Sequence, residues 1–191
     1  MLTCDPVSML AQGLLLIEPS GVTHPRQARG EVLSMRIEEI LNHDQVPVRL
    51  EASSREEALG VVAQLFAERH PELGCRAIFD SLWCRECLGT TGIGDGVAIP
   101  HARIPGLQET EVVVATCPEG LEFEALDGQP VRIVVGILSP ADAPREALRA
   151  LSDVVRCLKK PGLREALESH AGPSAAMRPT NGCDGSESVS R

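Results

Sequence analysis

A chain of 191 residues is long enough for one domain with a proper hydrophobic core, with room for tails. Its net charge of −9 and 2% aromatic content exclude a nucleic-acid backbone or stacked bases as partner, because there is neither a basic excess nor an aromatic platform. With one Trp, three Phe and no Tyr, the core has to be assembled from Val, Leu, Ile and Ala.

Residues 1–34 read as a disordered N-terminal extension. The apolar patch Leu14–Ile17 is too short to span a bilayer, and no Lys or Arg precedes it as in a signal peptide. Pro19, Gly21, Pro25 and Gly30 then break any regular element. The organised part is expected over residues 35–169. Met35–Leu41 reads as a short helical turn, and Val46–Leu50 alternates as a strand does. Ser54-Arg55-Glu56-Glu57 reads as a capping box opening a helix. Ala58, Leu59, Val62, Leu65 and Phe66 then fall on one helical face. A second helix, Cys75–Cys87, presents Ile78, Phe79, Leu82 and Trp83 inward and carries Arg85 in its last turn, where a cation suits the helix dipole.

The segment that follows, Gly89-Thr90-Thr91-Gly92-Ile93-Gly94-Asp95-Gly96, leads into the apolar run Val97–Ile99, then Pro100, His101 and Arg103. Pro100 forces Ile99 towards an extended backbone, so the run reads as a strand with His101 at or near its end. Glycine-rich backbone lets amides approach an oxyanion, and imidazole suits the holding or passing on of a group near neutral pH. The chemical reading is a nucleophilic histidine beside a phosphate-sized cradle. A plain glycine loop joining helix to strand competes with it on composition alone. Two familiar phosphate motifs do not fit: the stretch holds no lysine for a P-loop, and Val97 stands where GxGxxG needs its last glycine.

The run Arg85-Glu86-Cys87-Leu88-Gly89-Thr90-Thr91-Gly92-Ile93-Gly94-Asp95-Gly96-Val97-Ala98-Ile99-Pro100-His101 closely resembles the signature of one enzyme IIA family. This is the fructose/mannitol/nitrogen-regulatory class of the bacterial phosphoenolpyruvate-dependent phosphotransferase system, and the match is ungapped. The resemblance implies that His101 carries a phosphoryl group and that Arg85 points into the active site and steadies it. Thr90, Thr91 and Arg103 are the further candidates for stabilising its charge. It also implies a phosphoryl donor, HPr or its nitrogen-branch counterpart, and an acceptor of IIB type where one exists. No metal or organic cofactor is called for by this chemistry.

Downstream, Glu111–Cys117 and Val131–Leu138 read as strands, with Pro118–Gly120 and Asp127–Pro130 as turn signals and Leu121–Phe123 as a short extra strand. Pro140–Lys160 reads as a helix capped by Asp142, with Leu148, Leu151, Val154, Val155 and Leu158 as its buried stripe. Helices alternating with strands predict an α/β fold, a single mixed β-sheet flanked by helices, and the resemblance implies the same. Family members often carry a second histidine early in that last helix; Ala147 stands in its place here. Arg103, Arg145 or Arg149 then supplies the cation, or transfer is slower, or the domain only binds.

After a further turn or two over Gly162–His170, residues 170–191 read as a disordered tail, rich in Gly, Ser and Pro. Where the family's closing helix is missing, an exposed apolar patch is expected. The seven cysteines include a CxxC at Cys84–Cys87, without the second pair a structural zinc needs, and read as reduced, partly buried thiols. The expected role is a cytoplasmic histidine phosphocarrier of regulatory, nitrogen type. The alternatives are a IIA component of a sugar permease and a binding-only regulator.

Overall fold

The computed structural model describes residues 47–160, 162–169 and 177–178. The expected extension over residues 1–34 and the helical turn at Met35–Leu41 lie outside them. The elements run β1 (Val48–Arg49), α1 (Arg55–Arg69), α2 (Cys75–Cys87), β2 (Gly92–Gly94), β3 (Val97–Ala98), β4 (His101–Ile104), β5 (Glu111–Leu121), β6 (Val131–Pro140), α3 (Pro144–Leu158) and α4 (Leu163–Ser169). A short 3-10 turn, Pro71–Leu73, links the first two helices.

The six strands form one mixed sheet in the order β1-β5-β6-β3-β2, with β4 also on β6. β5 and β6 are antiparallel at its centre, while β1, β3 and β4 pair in parallel. Period-two alternation along β6 sends Val134 and Leu138 into one core and Ile133, Val135 and Ile137 into the other. The first core holds α1 and α2 against the sheet through Leu59, Val62, Phe66, Ile78 and Leu82. The second holds α3 and α4 through Ala150, Val154, Leu158 and Leu167. The expected architecture, one mixed sheet flanked by helices, is what the structure shows.

Three expectations about local structure are corrected. Pro118–Gly120 is not a turn: β5 continues through it as an irregularity in register and pairs Leu121 with Val131. Gly120 takes φ 79 there and passes so close to Pro130 that a Cβ would meet its ring at 2.9 Å. The helix expected from Pro140 begins at Pro144, because β6 extends to Pro140; its N-cap is Ala143, without a side-chain bond, and Asp142 does not cap it. The face that α3 buries is set by Ala150, Asp153, Val154, Cys157 and Leu158, which leaves Leu148 66% exposed. At α1, Ser54 accepts from the Glu57 amide as expected, but the Glu57 carboxylate reaches back to Ser53.

The C-terminal stretch contributes two described residues. Met177 bridges Leu50 beside β1 and packs on the first core, and Arg178 pairs with Glu51 at 2.5 Å. The large apolar side chains left exposed among the described residues are Leu88, Ile93, Leu126 and Leu148. Cys84 and Cys87, expected to be partly buried, are exposed, and Cys75 is disulfide-bonded rather than reduced.

Candidate functional site

The glycine-rich stretch folds as a β-hairpin. Gly92 and Gly94 of β2 pair with Ala98 and Val97 of β3. The two turn residues, Asp95 (φ 54) and Gly96 (φ 75), both sit in the left-handed region that two-residue hairpin turns require. Gly92 is packed so tightly on Ala125 that a Cβ would meet it at 2.9 Å. Gly92 and Gly94 serve close packing and Gly96 the turn, and none of Gly89–Gly96 lines the cleft around His101. The cradle expected from them is replaced by a turn at the far end of β3.

From that turn the chain runs back along β6. Val97 sits opposite Ile133 and Ala98 opposite Val134. After Pro100, His101 sits opposite Ile137 and Ala102 opposite Leu138, in unbroken register. β3 and β4 are thus one strand interrupted where Pro100 has no N–H to donate, although its carbonyl still accepts from Ile137 at 2.9 Å. The interruption frees the Ile99 carbonyl to take the imidazole: Nδ1 of His101 lies 2.8 Å from it. A carbonyl only accepts, so Nδ1 carries the proton of the neutral ring and Nε2 keeps its lone pair.

That lone pair faces the last turn of α2. Nε of Arg85 donates to Nε2 of His101 at 3.0 Å, while Nη1 of Arg85 donates to the Gly89 carbonyl at 3.0 Å. Burial holds His101 below the ordinary histidine value; the bond to Ile99 opposes this, the Arg85 guanidinium adds to it, and the Glu86 carboxylate opposes it. The ring is therefore neutral at neutral pH, with a nucleophilic nitrogen next to a permanent cation.

His101 opens into a cleft of about 710 Å³ between α2, β4, β6 and α3, lined by Arg85, Arg103, Ser139, Ala147, Leu148 and others. Arg103 follows His101 by two along β4 and is exposed. Arg145 and Arg149 do not line the cleft, and Ala147 does. Leu88 (85% exposed) and Leu148 give the cleft an apolar rim on two sides. The two threonines are placed elsewhere. Thr90 Oγ1 donates to the Phe123 carbonyl and accepts from the Gly92 amide. Thr91 Oγ1 donates to Glu86 at 2.5 Å.

Glu86 was part of the sequence signature without a role attached. It is 2% exposed and accepts from the amide and hydroxyl of Thr91, with Nη1 of Arg55 3.6 Å away. The signal available in the sequence was a glutamate next to an inward-facing arginine, at a helix end where a carboxylate is disfavoured by the dipole.

Comparison with known proteins places this geometry. The chain belongs to the family described as phosphoenolpyruvate-dependent sugar phosphotransferase system, EIIA 2, whose profile matches residues 39–178. Members of this family are phosphotransferases. It is similar to the nitrogen regulatory protein of Pseudomonas aeruginosa, 36% identical over 135 residues that cover 71% of this chain and 88% of that one. The nitrogen regulatory protein of Bradyrhizobium diazoefficiens is 34% identical over the same shares of the two chains. Among solved structures, the nitrogen regulatory protein IIA-Ntr of Neisseria meningitidis matches with a TM-score of 0.59 and 33% identity, covering 73% of this chain and 89% of that one. No helix among the described residues is long and apolar enough to cross a membrane.

Proposed function

We propose that His101 is a phosphoryl acceptor and that the protein acts as a histidine phosphocarrier of the regulatory, nitrogen type. The observation that carries this reading is the pairing of an unprotonated Nε2 with the Arg85 guanidinium at the mouth of an open cleft. Nε2 attacks the phosphorus of a phosphohistidine on HPr or its nitrogen-branch counterpart. The new P–Nε2 bond forms as the donor's P–N bond breaks, and the donor imidazole leaves with that electron pair. Arg85 passes from the nitrogen lone pair to the phosphoryl oxygens, so one cation serves both the ground state and the product. Arg103 is the second cation at the cleft, in the role that a second histidine would otherwise fill from the position of Ala147. The exposed Leu88 and Leu148 seat the donor around the reacting atoms.

Phosphorylation adds nearly two negative charges to a half-buried ring, enough to change which partner surface fits the cleft. This favours a regulatory output in the cytoplasm, and the likeness to nitrogen regulatory proteins supports it. Ala147, which offers neither donor nor charge, supports a second reading, a domain that binds partners without turning over phosphate.

Incubation with phosphoenolpyruvate, enzyme I and the carrier, followed by intact-mass measurement, separates the two. Gain of one acid-labile phosphate by the protein, absent in His101→Ala, is the expected result. No gain under conditions that label a control IIA domain favours the binding-only reading. Onward transfer to a IIB acceptor identifies a permease component instead.

A further inference from the structure

We propose that Glu86 is a positioning residue: its buried carboxylate, held by Arg55, fixes Arg85 and His101 in register through a closed chain of polar contacts. The proposal rests on the reading of His101 as phosphoryl acceptor. The chain of contacts runs as follows. Nη1 of Arg55 lies 3.6 Å from Glu86 Oε1. The Glu86 carboxylate takes the Thr91 amide at 3.0 and 3.1 Å and the Thr91 hydroxyl at 2.5 Å. The Thr91 carbonyl accepts from the Ile99 amide at 2.9 Å, and the Ile99 carbonyl takes Nδ1 of His101 at 2.8 Å. Nε2 of His101 then meets Nε of Arg85, the residue preceding Glu86 in α2, at 3.0 Å.

Each link constrains the next. α2 ends at Cys87, so Glu86 lies in the last turn of the helix, directly after Arg85. Glu86 anchors that turn to Thr91, and Thr91 is laddered to Ile99, whose carbonyl sets the ring's orientation and tautomer. A buried carboxylate needs this many partners to be tolerated, and here they are all groups that position the site. The same Nη1 of Arg55 donates to Glu124 at 2.9 Å, so Arg55 bridges the two carboxylates, and its guanidinium lies 5.8 Å from the centre of the Trp83 ring. Among the described residues, the charged groups around the imidazole are Arg85 and Glu86 from α2 and Arg103 from β4, with the Cys84 thiol lining the same cleft; α3 faces it with Pro144, Ala147, Leu148 and Leu151, and β6 with Ile137 and Ser139. Among the described residues, Glu86 is thus the anionic side chain that acts on the ring, and its charge favours ring protonation where Arg85 opposes it.

The experiment uses the full chain. In Glu86→Gln, transfer from the phosphorylated carrier is expected to fall by tenfold or more, up to about a hundredfold, as a small misplacement of reacting groups allows. The NMR titration midpoint of the His101 ring is expected to move further down, because the carboxylate charge that favours ring protonation is gone. Thr91→Val keeps the charge and removes one tie; it is expected to slow transfer while leaving the midpoint near the wild-type value. A folded Glu86→Gln that transfers at the wild-type rate overturns the proposal, whatever its midpoint. Should Glu86→Gln not fold, Thr91→Val decides it: slowed transfer supports it and a wild-type rate overturns it. If the wild-type chain takes up no phosphate, the acceptor reading fails, and the ring itself decides the positioning role: loss of the Nδ1–H tautomer held by the Ile99 carbonyl in the NMR spectrum of Glu86→Gln supports it, and an unchanged Nδ1–H signal overturns it.

Discussion

Removal of the Arg85 side chain perturbs the site in two directions that can be measured separately. In Arg85→Ala, Nε2 of His101 loses a charge-assisted hydrogen bond of 3.0 Å, and the phosphoryl group loses its nearest cation. A hydrogen bond to a charged group contributes about 1.5–3 kcal/mol, which at ~1.4 kcal/mol per tenfold is roughly 10- to 150-fold in rate. Loss of a single donor aimed at developing oxyanion charge typically costs about 10²–10³ in rate, so a fall of about a hundredfold is expected. The second effect has the opposite character. Arg85 disfavours the imidazolium, so its removal lets the His101 value rise towards the ordinary one. More of the ring is then protonated, and unable to attack, at any pH in the acidic range. The deficit of the variant must therefore widen as pH falls below about 6.5. Single-turnover transfer from phosphorylated carrier, measured from pH 5.5 to 8, tests both. A rate within about threefold of wild type, or a deficit that does not depend on pH, would refute the argument.

Four further outcomes follow from the same geometry. Ala147→His restores an imidazole on the cleft wall and is expected to speed transfer or slow hydrolysis of the phosphohistidine several-fold, about the effect of one added hydrogen bond to a charged group; equal hydrolysis half-lives and rates would show that Arg103 already suffices. Leu88→Glu and Leu148→Glu, at positions 85% and 66% exposed, should raise the KM for the carrier by about tenfold each as apolar rim contacts are lost, with kcat and melting temperature little changed. Gly136→Ala places a Cβ 2.6 Å from Val62 Cγ1 and 2.9 Å from Val113 Cγ2. Stiff branched neighbours do not give easily, so a loss of about 2 kcal/mol and a drop of roughly 4–8 °C in melting temperature are expected in calorimetry. For pH and stability, the folded His101 binds its proton less readily than the unfolded chain. Stability contributed by the neutral ring is thus present above about pH 6.5 and is lost as pH falls towards the folded value; His101→Gln should lose less stability than wild type between pH 7.5 and 5 in urea titrations.

Much of this fold was legible because its elements announce themselves locally. Cys75–Cys87 was bounded to the residue, and α1 was marked by Ser54 and by a face of large apolar side chains. What failed did so where two local structures share the same residues. Pro118-Glu119-Gly120 has turn composition, yet a proline and a positive-φ glycine equally suit an irregularity in a strand whose partner continues beyond it. In α3 the expected stripe packs on the second core through Leu151, Val154, Val155 and Leu158, while Leu148 stays exposed and Ala150 and Cys157 are buried in addition. Ala150 and Val154 are fully buried in the core between α3 and the sheet, and Asp153 is accommodated beside them by its 2.9 Å pair with Arg156. Hydrophobicity ranks leucine above alanine, whereas the space between helix and sheet does not.

The juxtaposition of Arg85 and His101 was legible in the sequence and that of their supports was not, and the reason is directional. A motif can place Arg85 and His101 on neighbouring elements, but it carries no information about where a hydroxyl points. Thr90 and Thr91 have the right chemistry for an oxyanion, and their protons go instead to the Phe123 carbonyl and the Glu86 carboxylate. The glycines likewise have the backbone freedom of a phosphate loop and spend it on a two-residue turn and a close approach to Ala125. What the stretch from Arg85 to His101 encodes is therefore mainly geometry. A helix end, a buried glutamate, a hairpin and a proline interruption together deliver one imidazole, in one tautomer, to one arginine. This also explains how the position of Ala147 can differ in chemistry without disturbing the rest: it lines the cleft from α3, outside the ring of contacts that holds His101, so a change there alters the cleft wall and leaves intact the bonds that orient the imidazole.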